Sequence, residues 1–184
     1  MPPLRNCPNG FASAIARFYT SFFRGLPLLM QVYLIYLGLP QLGCVIINAV
    51  PSGVLALSLC VGAYMTEVFR SGIQSIDRGH WEAFRSMSFG FGLTMRRIIL
   101  PQGLPVIIPP TGNMFIGMLK DSSLVSVLRV WELTFLARTI GQPTFHHMEM
   151  LITASLIYWM MSACLEVGQS RLELHSEGVR CDDR

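Results

Sequence analysis

Two long runs without a charged residue constrain this chain more than any other feature. Residues 25–66 and residues 98–119 contain no Asp, Glu, Lys or Arg. About 20 consecutive apolar residues are enough to cross the hydrocarbon layer of a bilayer as a helix. Only 14% of the residues are charged, against about 25% in a soluble domain, and mean hydropathy is +0.47. The pattern predicts an all-α integral membrane protein.

The apolar segments predict about four transmembrane helices. A polar N-terminal segment at 1–16 precedes a membrane domain at 17–170, and a tail at 171–184 is predicted to be a frayed helix or disordered. The small residues of the second span favour close helix packing. These small residues are Gly53, Ala56, Gly62 and Ala63. The predicted spans are 27–47, 51–69, 105–128 and 150–167.

Prolines mark the predicted ends of several spans. Pro40 lacks the N–H that a helix interior needs, so the first span is predicted to end or kink there. Pro51 suits the first turn of the second span. A proline series opens the third span, whose entry is therefore predicted to be kinked or partly unwound. The series consists of Pro101, Pro105, Pro109 and Pro110.

The basic residues predict an orientation, because cytoplasmic loops of membrane proteins carry an excess of Lys and Arg. With the N-terminus and the central loop inside, the outside holds only Arg129 and Arg138. The charged central segment then faces the cytoplasm. The arginines on that side are Arg5, Arg17, Arg24, Arg70, Arg78, Arg85, Arg96, Arg97, Arg171, Arg180 and Arg184.

The central segment, residues 79–105, has the pattern of an amphipathic helix. Its large apolar residues recur at spacings of three and four, with a predicted break near Gly90 and Gly92. Two interpretations fit this pattern equally. The helix either lies on the bilayer surface or docks into the groove of a partner protein.

Polar residues inside the third predicted span are candidates for a polar path or a subunit contact. A lysine deep in a bilayer costs about 2.5–3.5 kcal/mol on insertion scales, so Lys120 needs a compensating environment. Lys120 and Asp121 point about 100° apart on a helix, which predicts separate partners or a polar cavity. The alternative is an internal ion pair between helices. Asn113 precedes them, and Glu67 is predicted to form an interfacial ion pair or hydrogen bond rather than to act in transport.

No catalytic, metal or cofactor site is predicted. His146, His147 and Glu149 match no strong ligand spacing, so the outer connection at 129–149 is predicted to be solvated there. The five cysteines form no CxxC pair. The chain also lacks the GxxxxGK[ST] loop that binds nucleotide phosphates.

Several sequence blocks, in this order and at these separations, identify a family resemblance. The chain resembles the permease subunit of bacterial ABC importers of the polar amino acid (histidine/glutamine/arginine) type over about residues 12–170. The segment at 79–105 resembles that family's cytoplasmic EAA loop, which implies a coupling loop at 79–100. The matching blocks are FFRGLP at 22–27 with Gln31, GAYMTE at 62–67 with RSGI at 70–73, PPTGN at 109–113, KDSSLVSV at 120–127 and ELT at 132–134.

The resemblance implies a type I importer fold and a set of partners. The EAA loop would form a coupling helix in a cleft of a separate cytoplasmic ATPase subunit, so the permease itself hydrolyses nothing. A second permease copy or a paralogue and a periplasmic solute-binding protein are also implied, at the bacterial inner membrane. The implied path residues are Asn113, Lys120, Asp121 and Glu67. The implied ATPase-coupling residues are Glu82, Ala83, Phe84, Arg85, Ser88 and Gly90.

The chain also departs from the family pattern. The family usually has five spans per subunit, and residues 1–16 are not expected to supply the first of them. Phe84 stands where the family has the third alanine of its motif, and Ser88 stands where it has glycine. A truncated or divergent subunit that docks an ATPase without transporting solute is therefore the alternative function. The sequence identifies neither the solute nor the choice between a homodimer and a heterodimer.

Overall fold

The computed structural model describes residues 10–43, 48–77, 79, 82 and 90–182. These residues form helices joined by short connections, and the described ranges contain no β-strand, as the apolar pattern predicts. Six helices carry the architecture. They are α1 (Gly10–Gly25), α2 (Leu28–Gln41, π-helical over Leu34–Gly38), α3 (Ala49–Gln74), α4 (Leu100–Asp121), α5 (Leu133–Thr144) and α6 (His147–Asp182).

A sharp bend separates α1 from α2, where a single polar segment and a span beginning near Pro27 were expected. The two helices meet at 107°. Gln31, which is 2% exposed, donates from Nε2 to the carbonyl oxygens of Phe23 (2.8 Å) and Leu26 (2.9 Å). These bonds satisfy the last carbonyls of α1, because Pro27 has no N–H to offer them. At its other end, α2 stops one residue after Pro40, as predicted.

The long apolar helix α3 packs closely along its length. Pro51 lies in its first turn, as predicted. Ala56 and Ala63 are fully buried. A side chain at Gly53 would overlap Val125, and one at Gly62 would lie 2.9 Å from the Tyr19 hydroxyl. The predicted role of these small residues in close packing is confirmed.

The proline-rich helix α4 is more regular than predicted. Its backbone remains α-helical across Pro105, Pro109 and Pro110, so the predicted partial unwinding is wrong, while the kink that was the other alternative stays a prediction. A π-helical turn, Met95–Ile99, precedes it and includes Arg97, whose carbonyl Pro101 cannot bond. Helices α3 and α6 pack against α4. A 3₁₀ segment, Ser122–Leu128, follows.

The outer connection contains helix α5, which is docked onto α6. Glu132 caps α5 by accepting from the backbone N–H groups of Thr134 (2.9 Å) and Phe135 (2.7 Å). It also accepts from the Tyr158 hydroxyl of α6 (2.8 Å). Helix α6 continues to Asp182, through most of the segment predicted to be a tail.

Length and apolar composition qualify two described helices as membrane spans: Ala49–Gln74 and the part of α6 at His147–Glu173. The bent pair Ser13–Gly25 and Leu28–Gln41 would be a third if it counts as one span. Helix α4 is not among them, since its prolines and polar residues lower its hydropathy. Four spans therefore remain a prediction.

Candidate functional site

The predicted coupling segment is described only at its edges. Glu82 is helical and exposed, whereas Ala83, Phe84, Arg85 and Ser88 lie outside the described residues. The exposed Gly90 is not helical, which agrees with the predicted break. Its carbonyl accepts from the N–H groups of Leu93 (3.0 Å) and Thr94 (3.1 Å) and so begins the next helix. Gly92 lies inside that helix, Phe91–Thr94, and the chain is not broken there.

The two helices that flank this segment are locked together beside it. Gly72, near the end of α3, lies against Ile107 of α4 with no room for a Cβ atom. One turn earlier on α4, a Cβ at Gly103 would lie 3.4 Å from the Gly72 carbonyl oxygen. Ile107 is 4% exposed. The two backbones therefore pack closely where α3 and α4 approach the ends of the predicted coupling segment.

Asn113 contacts a residue that the sequence analysis did not identify. Gln169 of α6 donates from Nε2 to Asn113 Oδ1 (3.3 Å) and to the Pro109 carbonyl (3.0 Å). The same nitrogen lies 2.7 Å from Glu173 Oε1. Gln169 Oε1 is buried without a hydrogen-bond partner among the described residues. These polar groups join α4 to α6 at the level of the predicted path.

Lys120 and Asp121 occupy the far end of α4, and both side chains are exposed. Neither forms an ion pair with another described residue, so the alternative of an interhelical ion pair finds no support there. The 3₁₀ segment Ser122–Leu128, which follows Asp121, packs against α2 and α3.

Glu67 forms ion pairs, one of the two kinds of contact predicted for it. Its Oε1 lies 3.4 Å from Arg70 Nη1 and 3.8 Å from Arg24 Nη1. The Arg24 guanidinium also lies over the Tyr64 ring, 5.3 Å from its centroid. The carboxylate thus joins α1 to α3. Its two arginine partners fit an anchoring role better than a place on the predicted path.

An open groove of about 630 Å³ lies between α3, α4 and α6. Its lining is almost entirely apolar, with Thr111 and Gln169 as its polar side chains besides Cys164, and no charged residue lines it. A zwitterionic amino acid needs partners for both charges when it leaves water. The groove offers no charged partner to such a solute and therefore does not suit the path.

The contacts missed from the sequence are long-range. Gln169 lies 56 residues from Asn113, and Tyr158 lies 26 residues from Glu132. The one available signal was the position of Gln169, a polar residue two places beyond the predicted last span. That position alone does not identify a partner.

Comparison with known proteins identifies the family of the chain. Residues 6–175 match the profile of the family described as binding-protein-dependent transport system inner membrane component. The probable amino-acid ABC transporter permease protein YckA of Bacillus subtilis (strain 168) is 39% identical over 158 residues, which cover 86% of this chain and 70% of YckA. The arginine transport system permease protein ArtQ of the same strain is 40% identical over 147 residues, covering 80% and 67%.

A solved structure gives the same result for the fold. The structure described as an amino acid ABC transporter with histidines superposes with a TM-score of 0.84 at 38% identity. The match covers 91% of this chain and 79% of that one. The chain is an all-α membrane protein with the fold of a type I ABC importer permease, and it belongs to the family of binding-protein-dependent transport system inner membrane components.

Proposed function

We propose that this chain is the membrane-spanning permease subunit of an ATP-driven importer that carries a polar amino acid or a similar small solute across the inner membrane. One observation carries the proposal. The helical turns from Phe91 lead directly into α4, which continues to Asp121. At 1.5 Å per residue this helical stretch is about 45 Å long, and it joins the coupling segment to Asn113, Lys120 and Asp121.

The packing of α3 on α4 supports a mechanical role for this helical stretch. A movement imposed on the coupling segment by a cytoplasmic ATPase would reach both of its ends. Because Gly72 and Ile107 lock α3 to α4, the two helices would tilt together rather than separate. Asn113, Lys120 and Asp121 would then move relative to a second permease subunit, which supports alternating exposure of the path to the two sides.

The chemistry of the path fits an amino acid. Lys120 offers an ammonium group to a carboxylate, and Asp121 offers a carboxylate to an amino group. Neither is neutralised by an ion pair among the described residues. Asn113 adds a neutral hydrogen-bonding group, which Gln169 of α6 holds by a hydrogen bond. Every amino acid carries both charged groups, so selectivity would rest with a periplasmic solute-binding protein.

Reconstitution tests the proposal. The chain would be co-expressed with the neighbouring ATPase and solute-binding protein and placed in vesicles. Labelled polar amino acids are expected to accumulate only when ATP and the binding protein are present. If no solute accumulates and no ATPase co-purifies with the chain, the importer function is wrong.

A further inference from the structure

Helix α1 exposes a continuous stripe of large apolar side chains. Phe11, Ile15, Phe18 and Phe22 follow one another at spacings of four, three and four, which places them on one face of a helix. Their exposed fractions are 79%, 53%, 69% and 43%. The Phe18 and Phe22 rings stack with centroids 5.7 Å apart. This stripe is too apolar and too continuous to face water without a partner.

A different face of α1 attaches it to the protein. The Tyr19 hydroxyl donates to the Leu59 carbonyl of α3 over 2.7 Å. The rings of Tyr19 and Phe23 lie 4.9 Å apart along this face. At about 100° per residue, Tyr19 points roughly a quarter turn away from the centre of the stripe. The docked face and the exposed stripe are therefore distinct, and α3 leaves the stripe uncovered.

The direction of α1 fits a membrane surface. Helix α2 packs against α3, which is long and apolar enough to span a bilayer. Helix α1 meets α2 at 107°, so it runs almost perpendicular to that helix. If α2 follows α3 through the bilayer, α1 lies close to the membrane plane. The two hydrogen bonds from Gln31 hold this bend.

The charges of α1 fit the same location. The helix contains Arg17 and Arg24 and no acidic residue. On a helical projection both arginines lie well away from the stripe, toward its polar side. Anionic lipid headgroups attract basic residues near the surface, by about 1 kcal/mol each. A helix with an apolar, aromatic-rich stripe on one side and arginines on the other has the pattern of an interfacial helix.

We propose that α1 is an interfacial lipid anchor, with Phe11, Ile15, Phe18 and Phe22 immersed at the boundary between headgroups and acyl chains. The Arg24–Glu67 ion pair and the Tyr19 hydrogen bond connect this anchor to α3. The occupant of the stripe is lipid, not a second protein surface. The proposal depends on the membrane location of the chain and not on transport, so either can fail without the other.

Nitroxide accessibility tests the anchor in the reconstituted full chain. The five native cysteines would be replaced by serine, and a label attached at Phe18→Cys or at the control Ala16→Cys. Position 16 is exposed and lies about 160° around the helix from position 18. In vesicles of phosphatidylglycerol and phosphatidylethanolamine, oxygen is expected to relax the label at 18 more than a water-soluble nickel chelate does. The control is expected to show the reverse.

Two results would overturn the anchor. Equal access of the nickel chelate to both labels would place the stripe in water, and shielding of the label at 18 from both reagents would mean that protein covers it. If the cysteine-free chain does not fold, Phe18→Trp and Ala16→Trp in the native sequence give the same answer. Brominated lipid is expected to quench the added fluorescence of the first variant only, and equal quenching of both contradicts the proposal.

Discussion

Gly72 of α3 lies so close to Ile107 of α4 that a Cβ atom at position 72 would overlap the Ile107 side chain. The contact occurs where the two helices approach the ends of the coupling segment. The close packing leaves no room for a side chain between α3 and α4 at this point, and we expect the two helices to move together. The proposed transmission of force along α4 depends on this contact.

Substitution of Gly72 by alanine tests the contact. We expect Gly72→Ala to lower the free energy of unfolding by about 1–3 kcal/mol, the usual cost of overpacking. Gly117→Ala on α4 is the matched control, since nothing lies within 4 Å of its Cβ position. Thermal unfolding in lipid nanodiscs measures both.

A double variant separates overpacking from other effects of Gly72→Ala. Ile107→Ala removes the atoms that a Cβ at position 72 would meet, so Gly72→Ala should cost much less in that background. An equal cost in both backgrounds would mean that the Ile107 contact does not limit the approach of the helices.

The cap of α5 gives a second prediction. Glu132→Ala removes the acceptor for two backbone N–H groups and for the Tyr158 hydroxyl. Loss of a helix N-cap costs about 0.5–2 kcal/mol, and we expect a decrease in stability of that size or somewhat more. Tyr158→Phe should cost less, about 0.5–1.5 kcal/mol. The exposed Glu166→Ala is the control, and a loss of stability as large as that of Glu132→Ala would argue against the cap.

The bend between α1 and α2 gives a third prediction. Gln31→Leu keeps the side chain's approximate volume but leaves the Phe23 and Leu26 carbonyls without their donor. Each lost bond is worth about 0.5–1.5 kcal/mol, so stability should fall by about 1–3 kcal/mol. Spin labels on α1 and α2 should report a broader distribution of distances. An unchanged distribution would show that Pro27 alone sets the bend.

The helices that were predicted well are those with a strong local signal. Helix α3 begins within an uncharged apolar run, and Pro51 marks its first turn. The predicted span at 51–69 therefore lies inside Ala49–Gln74. The bend after α1 was missed because it depends on the Gln31 side chain, which reaches back eight residues to Phe23. A sequence pattern of period 3.6 contains no such information.

In the candidate site, too, local contacts were predicted and long-range contacts were missed. The ion pair of Glu67 was correctly predicted, since Arg70 lies one turn away on the same helix. Gln169 was missed because its contact with Asn113 spans 56 residues. The regular backbone of α4 was also unexpected, since the proline series alone does not reveal that α3 and α6 pack against it.

Gln169 gives a fourth prediction, about transport. Gln169→Leu removes the hydrogen bonds to Asn113 and to the Pro109 carbonyl while keeping the volume that packs against Gly112. If these bonds order the path, the uptake rate should fall roughly three- to tenfold, which corresponds to about 0.7–1.4 kcal/mol. ATPase binding should not change. Gln142→Leu on the exposed surface of α5 is the control, and equal uptake by both variants would remove Gln169 from the path.

The central claim is that the coupling segment transmits ATPase activity to the path. The most direct measurement is ATP hydrolysis by the reconstituted complex, with and without amino-acid-loaded binding protein. We predict that loaded binding protein stimulates the unmodified complex and the control variant Glu166→Lys, whereas Glu82→Lys loses the stimulation or fails to retain the ATPase. Full stimulation and full uptake in Glu82→Lys would contradict the account.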